Sequence, residues 1–326
     1  MHRSTASTAT MAAIVLMLTG VGAHAHGIVG NRFFPATLIV DDPFVADEFS
    51  MPTVSAFKNG DDPAAREVDV STEFSKRITE TFGISAASTW SRLSPPGGPK
   101  ASGFQNLETT FKYQFLKDPA HELIMSLGLN IEWGNTGAKA VGAEAFTTTT
   151  PTFYFGKGFG DLPDTMRWLR PFAVTGQVGY AIPSSSSGLT FDPSTGDVDI
   201  DYRPRFLVWG ATLQYSLPYL KSAVVDLGLP DVVNHLIPIV EASFKTPVSN
   251  NVAGLVTTGT INPGVIWVGD YYQVALEAVI PVNRQSGSGV GAMAQLHFFL
   301  DDIFPNSLGR PIFGDAASSG RPMFGR

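Results

Sequence analysis

Ten ionisable side chains recur on one face of alternating stretches of this chain. They are Glu67, Asp69, Glu73, Glu108, Glu122, Glu132, Glu241 and Glu277, with Lys112 and Lys245 as the cations set against them. Carboxylates spread in this way do not gather into a catalytic pair; they line a surface. If the stretches curl into one wall, that wall is either wet or internally paired, and a wet acidic wall favours cations over anions. A closed structure with a charge network inside is the competing reading. Other clusters offer less. Ser184-Ser185-Ser186-Ser187-Gly188 lacks the Gly-x-Ser-x-Gly of a nucleophile elbow and reads as loop. Asp192 to Asp201 is acidic and offers the clustered oxygens that calcium takes, but without EF-hand spacing, so it reads as a solvated loop. There is no cysteine, which excludes disulfides, thiolate metal sites and a cysteine nucleophile.

The elements that must position these acids are strands. In 104–134, Leu107, Thr109, Phe111, Tyr113 and Phe115 share a face, and Asn106, Glu108, Thr110, Lys112 and Gln114 share the other. After a turn at Lys117-Asp118-Pro119-Ala120, Leu123, Met125, Leu127, Leu129, Ile131 and Trp133 oppose Glu122, Ser126, Gly128, Asn130 and Glu132, with Ile124 the exception. Alternation over about ten residues fits a strand with one face in lipid and one on a polar interior. The pattern recurs at 66–76, 79–90, 146–158, 172–182, 204–215, 237–247, 254–268, 271–282 and 289–300. Residues 49–57 supply a twelfth candidate, weakened by Pro52. Connections alternate between short or helical ones (76–79, 117–120, 159–170, 218–235, 269–271) and polar loops (92–103, 135–145, 184–203, 249–253, 284–288). The expected fold is all-β, an antiparallel transmembrane β-barrel of about twelve strands. Its short turns are periplasmic, two of them helical, at 164–170 and 221–227. Trp90, Trp133, Trp168, Trp209 and Trp267 fall near strand ends or turns, as an interfacial girdle requires.

Composition agrees. Charged residues are 16% of the chain, below the quarter usual in soluble domains, and Gly (33) and Phe (23) are abundant. Mean hydropathy is only +0.09, far below that of a helical membrane protein, because half of each barrel strand is polar. Net charge is −7 and no basic cluster suggests nucleic acid.

The chain divides into four parts. Residues 1–25 read as a secretory signal, with Arg3, an apolar core from Met11 to Leu18 and an Ala23-His24-Ala25 cleavage site. Residues 26–48 do not alternate and carry Arg32, Phe33, Phe34 and Phe44; too apolar to stay in water, they are expected to plug the lumen. Residues 49–300 form the barrel. Residues 301–326 are expected to be a flexible tail, in which Arg310-Pro311-Ile312-Phe313-Gly314 nearly recurs as Arg321-Pro322-Met323-Phe324-Gly325.

Two resemblances bear on function. His26-Gly27-Ile28-Val29 resembles the mature start of lytic polysaccharide monooxygenases, which implies an N-terminal copper site with a second histidine from His121, His235 or His297. It covers four residues and makes a secreted copper enzyme the remote alternative. The whole mature chain resembles proteobacterial outer-membrane barrel transporters, including the class linked to the MetA pathway of phenol degradation. Gly176-Gln177-Val178-Gly179-Tyr180 and the closing Gln295-Leu296-His297-Phe298-Phe299 carry that likeness. It implies a non-enzymatic passive channel for small molecules without a cofactor, in contact with outer-membrane lipid and the barrel-assembly machinery. A barrel that only scaffolds the envelope is the other reading. The chain departs from the pattern in continuing past Phe299 to Arg326. The mature protein is expected to fractionate with outer membranes and to migrate differently on a denaturing gel with and without heating; release by osmotic shock as a soluble periplasmic protein would refute the barrel.

Overall fold

In the computed structural model, residues 27–191, 196–249 and 254–313 are described. The signal segment 1–25, His26 and the second copy of the Arg-Pro motif lie outside them. Twelve long strands close into one antiparallel barrel: β1 Glu48–Lys58, β2 Arg66–Arg77, β3 Phe82–Ser94, β4 Leu107–Asp118, β5 Leu123–Trp133, β6 Thr148–Gly158, β7 Phe172–Pro183, β8 Arg205–Tyr215, β9 Leu236–Ser249, β10 Thr258–Val268, β11 Tyr272–Pro281 and β12 Gly291–Phe299. Each pairs with the next, and β12 returns to β1. Closure leaves none of these twelve strands with an unpaired edge, the condition a sheet must meet in hydrocarbon.

Pro52 does not exclude β1. Met51 and Pro52 sit where the register shifts against both neighbours, between Ser50 and Thr53 on the β2 side and between Gln295 and His297 on β12. A bulge of this kind needs no ladder N–H from the proline. Both described chain ends lie at one end of the barrel, called here the near end. Its connections are short, except 159–171 and 216–235, which carry the brief helices Asp164–Leu169, Leu217–Tyr219, Leu220–Val224 and Asp231–Asn234.

One expectation needs correction. The stretch 184–203 is not all loop: Ser187–Phe191 pairs with Val198–Tyr202 as a hairpin at the far end. Alternation of Val198, Ile200 and Tyr202 with acidic residues gives those positions a strand period that the acidity obscures. Of the tail, residues 301–313 are described, and their last part is bonded to the end of β2. Ile312 and Phe313 donate to the carbonyls of Arg77 and Ile78 (3.2 and 2.8 Å), and Lys76 Nζ donates to those of Leu308 and Arg310 (2.8 and 2.5 Å). The Arg77 and Ile78 carbonyls and the Lys76 side chain thus bind residues 308–313 at the end of β2.

The outer surface is apolar in a way that soluble proteins avoid. Leu127 is 53% exposed and Leu276 58%, and Tyr113, Val178, Leu213, Val240 and Val274 stand out beside them. Two of the indole nitrogens find hydroxyls: Trp133 Nε1 donates to Thr109 and Trp209 Nε1 to Thr246. Arginine at Leu127 faces lipid at mid-strand and costs about 2–4 kcal/mol, whereas Thr110 lines the lumen. Leu127→Arg is therefore expected to lower the yield of heat-modifiable barrel, and Thr110→Arg to leave it near wild type. Equal yields would show the faces to be misassigned. Ser126, next to Leu127, faces inward as the alternation requires: it is fully buried and its hydroxyl donates to the Pro43 carbonyl.

Candidate functional site

The segment 27–47 lies inside the near half of the barrel, and its sequence explains how it is held. A short hairpin, Ile28–Val29 against Arg32–Phe33, presents Arg32 to the wall. The guanidinium is fully buried. Its Nε donates to Glu122 (3.2 Å), Nη1 to the Pro171 carbonyl (2.9 Å) and Nη2 to the Arg170 carbonyl, and it stacks 3.6 Å above the Tyr219 ring. Burial and then the Glu122 carboxylate push the Tyr219 hydroxyl up to about 12, so it keeps its proton and donates it to Glu122.

Apolar packing comes next. Phe33 meets Ile237, Ile239, Ile266, Val268, Ala275 and Phe299, while Val29, Phe34 and Phe44 meet Ile124 and Ala173. Ile124, the exception to the alternation of β5, is thus an inward apolar contact for the segment. Glycines make room: a Cβ at Gly156 would sit 2.9 Å from Ile124 and 3.3 Å from Phe34, and one at Gly83 would sit 2.8 Å from Val45.

At the turn of the segment, the backbone N–H groups of Leu38, Ile39 and Val40 all donate to the Glu241 carboxylate, at 3.1, 2.8 and 3.1 Å. Gln273 Nε2 donates to the Ala36 carbonyl at 2.5 Å. Lys112 Nζ bonds Asp41 (2.9 Å) and the Asp42 carbonyl (2.7 Å). Asp47 closes the set, paired with Lys76 (2.7 Å) and Arg77 (2.8 Å).

Residues 32–40 are fastened toward β5, β9 and β11, while Asp41, Asp42 and Asp47 are tied back to Lys112 on β4 and to Lys76 and Arg77 on β2; the space left lies along β1–β5 and β12. That space is a cavity of about 440 Å³. Along β2 it runs from Asp69 to Lys76, a span of about 23 Å at ~3.3 Å per residue. Ser71, Ser85, Thr89, Thr110 and Asn130 give it a hydroxyl and amide lining. Asp41, Asp42, Glu48, Asp69, Glu73 and Glu108 supply acid against Lys76 and Lys112, and both lysines already hold aspartates. The excess charge on this wall is negative.

The structure divides the ten residues named as wall acids and bases. Asp69, Glu73, Glu108 and Lys112 line the cavity. Glu122 and Glu241 hold the segment. Glu277 is buried behind the segment, close to Glu241. Glu67 faces Phe57 in the β1–β2 ladder, Glu132 accepts from Asn106 (3.0 Å), and Lys245 lies 4.3 Å from the Phe206 ring. Arg32, Phe33, Phe34 and Phe44 are all buried against the wall. Asp41, Asp42, Glu48 and Lys76 belong to the cavity and were not singled out from the sequence; the first two sit in the non-alternating segment, where no period marks a face.

The histidines do not converge. His121 Nδ1 pairs with Asp118 (2.9 Å) at an exposed turn, His235 contacts the Val268 carbonyl and stacks on Trp267, and His297 Nδ1 lies 2.8 Å from Ser50 Oγ in the lumen. Among the described residues no group of three metal-ligating side chains assembles, and His26 lies outside them.

Comparison with solved structures places the architecture among outer-membrane barrels. An outer membrane channel from Pseudomonas putida F1 superposes with a TM-score of 0.50 at 12% identity, covering 82% of this chain and 99% of that one. The KdgM porin gives 0.45 at 10% identity, over 76% of this chain and 98% of its own. The NanC porin gives 0.45 at 8% identity, over 76% and 98%. No protein-family model and no curated protein matches the chain.

Removing one partner of a buried ion pair strands the other, at a cost of about 3–5 kcal/mol. Arg32→Ala is expected to loosen residues 27–36 without opening the barrel. Limited proteolysis should then cut near Phe33 and Phe34, sites protected in the wild type, while heat-modifiable migration persists. Unchanged protection would show that Arg32 does not hold the segment.

Proposed function

We propose that this chain is an outer-membrane channel that passes small cations and neutral solutes, and that the N-terminal segment is its constriction. One observation carries the reading: an acid-lined, hydroxyl-rich cavity runs beside a segment whose turn at residues 38–40 is bonded to Glu241 on the far side of the lumen. Twelve strands enclose less space than an open sixteen-stranded porin, and the segment narrows it further. A fixed low-dielectric wall bearing Asp69, Glu73 and Glu108 concentrates cations and repels anions.

Orientation belongs to the same proposal. The near end, with its shorter turns and both chain ends, is the periplasmic one, reached after cleavage behind Ala25. Membership of the MetA-linked transporter class is also part of it, supported by the signal, the strand pattern and the barrel form. The proposal assigns no catalytic role.

Planar-bilayer recording tests the channel. Wild-type protein should conduct potassium in preference to chloride, with the preference strongest at low salt. Deleting residues 28–46 should raise conductance without blocking assembly. Glu73→Gln combined with Glu108→Gln should lower the potassium-to-chloride permeability ratio. Unchanged conductance in the deletion refutes the constriction, and an unchanged ratio refutes the acidic filter. Absence of current in every variant refutes the channel and favours a barrel that only scaffolds the envelope.

A further inference from the structure

A second cavity opens off the passage on the side of β1 and β10–β12. It measures about 290 Å³, at the lower edge of ligand pockets, which run ~300–1,000 Å³. Its character differs from that of the passage. Leu38 and Ile39 of the N-terminal segment form one side, and Phe57, Val279, Pro281 and Met293 form the other. Five residues line both spaces: Leu38, Ile39, Ser55, Asp69 and Met293. The recess therefore joins the passage at Asp69, with apolar surface on one side of that carboxylate and the polar passage on the other.

Asp69 is fixed in place. Ser91 Oγ donates to one of its oxygens at 2.6 Å and Ser55 Oγ to the other at 3.3 Å. Neither donor is a cation. A cationic side chain does reach the recess, Lys58, but it is exposed at the far end of β1. A carboxylate held by two hydroxyls at the lip of a mostly apolar recess offers a solute two things at once: a charge for one end and an apolar surface for the other.

We infer that this junction is a solute subsite for small organic monocations: a primary ammonium with a short apolar tail, the ammonium on Asp69 and the tail in the recess between Ile39, Phe57, Val279 and Met293. The inference rests on the reading of the lumen as a solute passage, and deepens it by naming a preferred class of solute. An inorganic cation gains only from the acid, and a neutral apolar solute only from the recess. An organic anion of the same shape is repelled by the charge that attracts the amine. Ile39 contributes from the segment itself, so the constriction also builds the subsite. Deleting the segment would widen the lumen and remove one side of the recess together.

The test compares n-butylammonium, n-butanol and butyrate on the detergent-folded full chain, by saturation-transfer NMR and calorimetry, and on the same protein in planar bilayers. Butylammonium should bind saturably and slow the potassium current, butanol should bind more weakly, and butyrate should do neither. Asp69→Asn should weaken butylammonium by about tenfold or more, the scale of one lost charge-assisted contact, and leave butanol unchanged. Val279→Thr, close to isosteric but placing a hydroxyl in the recess, should weaken both. Equal binding of butylammonium and butanol to the wild type would overturn the subsite, as would an undiminished butylammonium affinity in Asp69→Asn. Potassium current with no saturable butylammonium binding leaves the passage standing and removes the subsite. Saturable, Asp69-dependent binding without any current leaves the subsite standing and removes the passage. Loss of both refutes both.

Discussion

Three successive amides aimed at one buried carboxylate set the interior of this barrel. Irregular backbone inside a membrane-spanning wall must satisfy its own polar groups, because no regular ladder does so for it. The turn at Leu38, Ile39 and Val40 meets that demand with Glu241, whose two oxygens take all three N–H groups. The charge matters as much as the geometry. A carboxylate accepts several donors at once and binds them more strongly than a neutral amide would. Gln273 on the Ala36 carbonyl and Lys112 on Asp41 and the Asp42 carbonyl continue the same logic on either side. With the turn bonded toward β9 and β11, the open space falls on the side of β1–β5 and β12, and its shape follows from where the segment is tied.

The barrel was legible because its period is strict. A charge facing lipid at mid-strand is costly, and one on the wall opposite it is not, so composition alternates and the strands announce themselves. Even the weak first strand is explained once Pro52 is placed in a bulge. The interior was legible only in part, since alternation says which residues face inward and nothing about what they meet there. Glu108 and Glu122 carry the same period in the sequence, yet one lines open space and the other is buried against an arginine ninety residues earlier in the chain. That distinction depends on a long-range contact, which no local pattern encodes.

A second signal did exist. Near the near end, β9 and β10 are apolar on both faces: Ile237, Ile239, Ile266 and Val268 are buried inward while Val240 faces out, and β5 has Ile124 in the same role. Strand ends apolar on both sides cannot border open water, so something apolar must lie inside them. The non-alternating stretch with Phe33, Phe34 and Phe44 supplies it. Read together, the two irregularities predict each other, whereas each alone looks like noise in the strand pattern.

The same division corrects a count of charges. Eight acids against two bases describes a wall more negative than the space it encloses, because some of those acids already serve the fold. Glu122 neutralises Arg32, Glu241 is occupied by amides, and Glu132 is engaged by Asn106. The segment meanwhile adds acids of its own to the cavity, Asp41 and Asp42, and ties up Lys112 as it does so. The field in the passage is therefore set jointly by wall and segment. The segment takes a lysine out of play on one side and hides a glutamate on the other. It does not simply fill space in a pre-charged tube; it determines which of the wall's charges remain available to a solute.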